Sequence, residues 1–245
     1  MATTTRNTPR ARPALRGRSR APSASLLREA VFGINDGLVA TVGLVSGEVL
    51  SGQPRSSVLI AALSAVGAAT VSMGIGSYLA SSSQNDFARR QVHEQKLRIR
   101  RDPAHERAAV NDILEEMGVV ESVRRAVMVR ITDDRRRWLR FLVRERLGLH
   151  ESRTEHPVKN AFTMAGGVIL GTVPPVLPFL LPLSELSARN AAWILSLLAA
   201  FGLGAVKGRL THTGLWLSGL QFMLLAGASS AVGAGIGILL GHKVA

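Results

Sequence analysis

The sequence predicts an all-α integral membrane protein with about five transmembrane helices and a charged helical insert between the second and third. Three observations predict it. Apolar runs recur along the chain; the first, from Ala30 to Leu50, is 21 residues, enough to cross roughly 30 Å of hydrocarbon. Charge is segregated: residues 82–157 hold 17 of the 30 basic and 13 of the 17 acidic residues. Aromatic residues make up only 4% while 24 glycines are present, and small residues let helices approach closely where lipid replaces water.

Residues 1–25 carry six Arg and no acid among Ala, Ser, Thr and Pro, the composition of a disordered basic tail, or of a transit peptide. No isolated apolar region with a cleavage site precedes the first span, so no secretory signal is expected. Residues 26–81 read as two spans. The first, Ala30–Leu50, is followed by a short turn, Ser51-Gly52-Gln53-Pro54-Arg55, and the second runs Val58–Ala80 without a charge. No Pro or Gly interrupts residues 77–101, so the second span is expected to continue into solvent as one helix. Residues 82–157 then form a helical cytoplasmic domain. Asp102-Pro103 reads as an N-cap followed by Pro at the first helical position. Val110, Ile113, Leu114 and Met117 line one helical face, Gly118 ends that helix, and Val120–Ile131 and Asp133–Leu147 read as two further amphipathic helices. Residues 158–245 hold three spans: Val158–Pro182, a short Ala191–Val206 after a polar turn at Ser184–Asn190, and Leu215–Leu240 after a tight basic turn at Lys207-Gly208-Arg209.

Lys and Arg collect on the cytoplasmic side of membrane proteins. The tail, the insert and the Lys207/Arg209 turn fall on one side, leaving Arg55, Arg189 and Lys243 on the other. The N-terminus is therefore expected inside and the C-terminus outside. Topology thus accounts for the net charge of +13, and no aromatic-basic interleaving accompanies it, so nucleic acid is not expected as a partner. With no cysteine, disulfides and thiolate sites are excluded. No nucleophile-base arrangement, phosphate loop or His-x3-His spacing is present, so no enzyme activity and no resident cofactor are expected.

An ionisable residue inside a span needs a reason. Asp36 and Glu48 are the two here, twelve residues apart in the first span, about 18 Å along a helix. Asp36, in Gly33-Ile34-Asn35-Asp36-Gly37, reads as a structural carboxylate or as a cation or proton site; Glu48 reads as an interfacial carboxylate or a secondary site. Met73 in the second span is core filler or a thioether ligand. Carboxylate with thioether suits Fe2+ better than Mg2+ or Ca2+, which prefer all-oxygen shells. His93, Glu94, His105 and Glu106 would meet if the insert folds back, but solvated helix faces are the expectation. Gly33-x3-Gly37, Gly43-x3-Gly47 and Gly233-x3-Gly237-x3-Gly241 permit close helix crossing or dimerisation.

Over Arg28-Glu29-Ala30-Val31-Phe32-Gly33-Ile34-Asn35-Asp36-Gly37-Leu38-Val39 the chain resembles the vacuolar iron transporter family. The resemblance continues at Ser72-Met73-Gly74-Ile75-Gly76-Ser77-Tyr78-Leu79, at Arg144-Glu145-Arg146-Leu147-Gly148-Leu149 and at Lys207-Gly208-Arg209-Leu210-Thr211, covering about residues 26–242. It implies a homodimer of five-helix subunits that exports Fe2+ or Mn2+ from the cytosol in exchange for protons. The family's intramembrane carboxylate and methionine fall on Asp36 and Met73, with Asn35 able to add an amide oxygen. Its Gly-Glu-Tyr motif reads Gly76-Ser77-Tyr78 here, one carboxylate short at the cytoplasmic mouth. The insert positions that gather metal in the family fall on Gln95, Arg98, Glu106, Ala109, Leu142 and Arg146. Only Glu106 keeps a carboxylate and two positions are cationic, so the collecting site is expected to be absent, with Glu106 at most a secondary ligand. The alternative implied by these departures is a protein of altered cargo or without transport, whose basic insert binds anionic lipid or an acidic partner. The host membrane is expected to be the plasma membrane in a bacterium and a vacuolar membrane in a eukaryote.

Overall fold

The structure, a computed structural model, describes residues 24–148 and 156–244. The expected basic tail up to residue 23 and residues 149–155 of the insert lie outside the described residues. Among the described residues eight helices follow in order: α1 (Ala24–Leu50), α2 (Arg55–Arg101), α3 (Pro103–Glu116), α4 (Glu121–Thr132), α5 (Arg135–Glu145), α6 (Pro157–Leu180), α7 (Glu185–Thr211) and α8 (Leu215–Val244). Five of them, α1, α2, α6, α7 and α8, are long and apolar enough to cross a membrane.

α1 is the central staff of the bundle and touches the other four spans. Its glycines explain how. A Cβ at Gly33 would stand 2.6 Å from the Met164 carbonyl, and one at Gly37 would meet the Val168 backbone. From the α6 side, Gly167 and Gly171 press on Ala30, Gly33 and Ile34. Gly43 and Gly47 cross Gly233 and Gly237 of α8 in the same way. These motifs, read above as open to dimerisation too, are used for crossings within one chain. A buried polar knot locks the far half: Ser46 Oγ donates to the Val42 carbonyl at 2.7 Å, shares a hydrogen bond with Ser230 at 2.7 Å, and accepts from Trp193 Nε1 at 2.9 Å. Arg55, at the start of α2, donates through Nε to the Phe179 carbonyl at 2.6 Å and through its terminal nitrogens to the Leu181 and Leu183 carbonyls. That guanidinium satisfies acceptors left open where α6 ends.

Two boundaries differ from the sequence reading. Helix α7 begins at Glu185, with Ser184 Oγ accepting from Ser187 N–H at 3.3 Å, so Ser184–Asn190 is a cap and first turn rather than a loop. It also runs through Lys207-Gly208-Arg209 to Thr211 and ends at His212, which adopts a left-handed φ of 55° and donates its N–H to the Gly208 carbonyl. Charge alone does not end a helix; the break comes where Gly214, at φ 85°, opens the chain. Lys207 stays on the helix with its ammonium 5.7 Å from the Phe222 ring centroid, a cation–π contact.

α2 is one uninterrupted helix of 47 residues. Beyond it, α3 starts where Asp102 accepts from His105 N–H at 3.0 Å with Pro103 at the first position, and the chain doubles back. Gly118, at φ 76°, turns it into α4. Asp134 caps α5 by accepting from Arg136 N–H at 2.8 Å, and that hydrogen bond holds its carboxyl below the usual range. The cap's contribution is thus present above the unfolded carboxyl pKa and is lost as pH falls through the lowered one. Ile99, Val110, Leu114, Trp138 and Leu142 form the core of this unit.

Candidate functional site

Helices α1 and α2 meet on the side where the insert sits. There Arg28, Glu29, Phe32, Met73, Ser77 and Met164 line a cavity of 440 Å³. Glu29 is 6% exposed. Its Oε2 accepts from Ser77 Oγ at 2.9 Å, and its Oε1 pairs with Arg28 Nη2 at 3.0 Å. Ser77 of α2 thus seats a carboxylate that arrives from α1. Met164, buried on α6, sets a second thioether beside Met73 on this wall. Glu29, Ser77 and Met164 went unassigned in the sequence. Glu29 falls one residue before the first apolar run, and only the fold shows that it turns inward.

Asp36 lies seven residues beyond Glu29 on α1, about 10 Å deeper. It and Asn35 are half-buried. Among the described residues no hydrogen bond or ion pair engages the Asp36 carboxylate. Met73 thus shares the Glu29 cavity, with Asp36 the next polar group inward on the Glu29 face of α1, at i+7. Glu48 is brought to neither. It lines a separate open groove of 520 Å³ between α1 and α8, with Ser51, Gln53 and the glycines Gly43 and Gly47. Among the described residues no three His, Cys, Asp or Glu side chains converge.

The insert is folded back, as the helix cap required, but it joins other partners than the histidines. His93 and His105 are exposed, and Glu94 pairs with Arg90 at 2.9 Å. Glu106, expected on a solvated face, is 1% exposed. Its Oε2 accepts from the buried Gln95 amide, and both its oxygens lie 3.4 Å from Arg146 Nη1. Leu142 is buried in the adjoining core, Ala109 packs on it, and Arg98 is exposed. The one acid at the candidate collecting positions is thus neutralised by the chain's own guanidinium. Truncating Arg146 to Ala leaves that carboxylate buried with the Gln95 amide alone. Because Arg146 is partly exposed and its contacts are long, the expected loss is about 2 kcal/mol, below the range for fully buried pairs. Thermal unfolding of the purified protein reads it, and added Mn2+ should not change the native melting temperature through this site.

Taken together, the fold defines an all-α, multi-pass integral membrane protein with a polar site between its first two spans. The VIT family model matches residues 27–238. The chain belongs to that family. It is 32% identical over 216 residues to Vacuolar iron transporter 1 of Eucalyptus grandis, covering 87% of this chain and 86% of that protein. It is 31% identical over 211 residues to Vacuolar iron transporter 1 of Arabidopsis thaliana, covering 85% and 84%. Against Protein CCC1 of Saccharomyces cerevisiae the identity is 23% over 190 residues, covering 76% and 58%.

Proposed function

We propose that this protein exports Fe2+ and/or Mn2+ from the cytosol in exchange for protons, as a homodimer, with the insert and the start of α1 on the cytoplasmic side. One observation carries the reading: the Glu29–Ser77 pair and the Met73 and Met164 thioethers line a cavity on the insert side, and Asp36, without a polar partner, lies next inward on α1. A hydrated cation entering there meets a carboxylate and a hydroxyl, then soft sulfur that favours transition metals over Mg2+, then Asp36. Asn35 adds an amide oxygen at that depth. A carboxylate shared between cation and proton gives exchange a direct route, because binding one displaces the other. The names of the relatives support iron as cargo. The oxygen donors suit Mn2+ as well.

The same face supports the proposed dimer. Phe32, Asp36 and Ala40 follow one stripe of α1, and Phe32 and Ala40 are exposed. A carboxylate turned to lipid is costly, and a second copy covering this stripe removes the cost. A second reading, altered cargo with a lipid-binding insert, is favoured by the neutralised Glu106. The deciding experiment is Fe2+ and Mn2+ flux into proteoliposomes across an imposed pH gradient. Flux that follows the gradient supports exchange. No flux of either metal from folded, oriented protein, with salt-sensitive binding of the protein to anionic vesicles, would support the second reading.

A further inference from the structure

Thr70 on α2 carries a hydroxyl that is buried and has no hydrogen-bond partner among the described residues. Hydroxyls elsewhere in these helices behave differently. Ser46, Thr172 and Ser196 each donate to the carbonyl four residues back, at 2.6–2.7 Å. In lipid no bulk water replaces a missing partner, so an unbonded hydroxyl at this depth is costly unless something else meets it.

Two independent registers say what lies level with it. The Ser77–Glu29 hydrogen bond puts those two residues at one depth. Thr70 is seven residues deeper than Ser77 on α2, and Asp36 seven residues deeper than Glu29 on α1. The second register uses α6. Gly33 and Gly37 of α1 abut Met164 and Val168 respectively, while Gly74 of α2 abuts Ala161 and Ala165. Gly74 is therefore level with the residue before Gly33. One turn further in on α2 reaches Thr70, and one turn further in on α1 reaches Asp36. The faces agree too. Thr70, Met73 and Ser77 share one side of α2 at i, i+3, i+7, as Glu29, Phe32 and Asp36 share one side of α1. The outer two of each trio line the same cavity.

We propose that the Thr70 hydroxyl is a ligand of the divalent transition-metal cation held at Asp36. The assignment rests on the reading of Asp36 as the intramembrane cation site and adds a neutral oxygen opposite its carboxylate. A hydroxyl contributes affinity without a second charge, so the cation is held and still leaves. It also accounts for the orphaned donor-acceptor group: the cation is the partner that the protein itself does not supply.

The test is concentration-dependent Fe2+ and Mn2+ flux in proteoliposomes containing the full chain, for native protein, Thr70→Val, Thr70→Ser and Asp36→Asn. Thr70→Val keeps the shape and removes the oxygen. It should raise the half-saturating metal concentration about tenfold, the scale of one interaction with a charged group. Maximal rate should stay as in the native chain, the melting temperature should equal or exceed the native one because an unbonded buried hydroxyl is removed, and Thr70→Ser should restore the half-saturating value. If Thr70→Val leaves half-saturation unchanged while Asp36→Asn is inactive, the Thr70 assignment falls and the Asp36 site stands. If Thr70→Ser is as impaired as Thr70→Val, the residue acts through packing, and the assignment falls again. Native-like flux from Asp36→Asn overturns both readings together.

Discussion

Asp36→Asn is expected to cut Fe2+ and Mn2+ flux by about 100-fold or more while leaving the protein folded. The substitution keeps the side chain's size and removes its charge. On the proposed reading of Asp36, a dehydrated divalent cation inside the bundle then lacks the negative group that offsets its own desolvation, and an exchanging proton loses its seat. Stability should move the other way. Asp36 has no hydrogen bond or ion pair among the described residues, so nothing is broken, and an isolated charge in a span is relieved. A melting temperature equal to or above that of the native protein, paired with lost flux, would mark a residue kept for transport at a cost in stability. Lower pH on the metal-loading side should slow the native chain, since protons compete for the same carboxylate.

Gly171→Ala is expected to have a large effect on folding. The added methyl would collide with the Ile34 carbonyl and stand 2.8 Å from the Leu38 nitrogen. Backbone cannot swing aside as a side-chain tip does, so α1 and α6 must part along their whole crossing. Overpacking of this kind costs about 3 kcal/mol or more, and because α1 touches every other span, the loss spreads through the bundle. Gly166→Ala is the matched control: a Cβ there meets nothing within 4 Å, and Ala favours helix over Gly. Size-exclusion profiles and thermal unfolding in detergent should separate the two, with Gly166→Ala native-like and Gly171→Ala aggregated or strongly destabilised.

Much of the architecture was legible because its causes are local. Hydropathy marked five spans, the absence of Pro and Gly over 77–101 marked the long α2, and Asp102-Pro103 marked the start of α3. The ends of α7 were misplaced for an equally local reason: polar residues were taken for loop, although Ser184 is a cap and Lys207 rides on a continuing helix above Phe222. The site was only half visible. Asp36 stood out as a charge in an apolar run. Glu29 did not, since its burial depends on Ser77, 48 residues away. Glu106 misled in the opposite sense: an acid in a highly charged insert suggests a wet surface, and only the fold shows Gln95 and Arg146 closing on it.

The length of α2 has a mechanical consequence. As a single helix of 47 residues it is about 70 Å long at 1.5 Å per residue, a rod with the insert clamped to one end and Met73 set within the membrane. About 30 Å of it projects past Ala80. A tilt of the insert is therefore geared down on its way inward, so that a wide swing outside becomes a fine adjustment of the α1–α2 gap. Whatever tugs on α3–α5 would hold the long arm of a lever whose short arm carries the Met73 thioether on the wall of the Glu29 cavity.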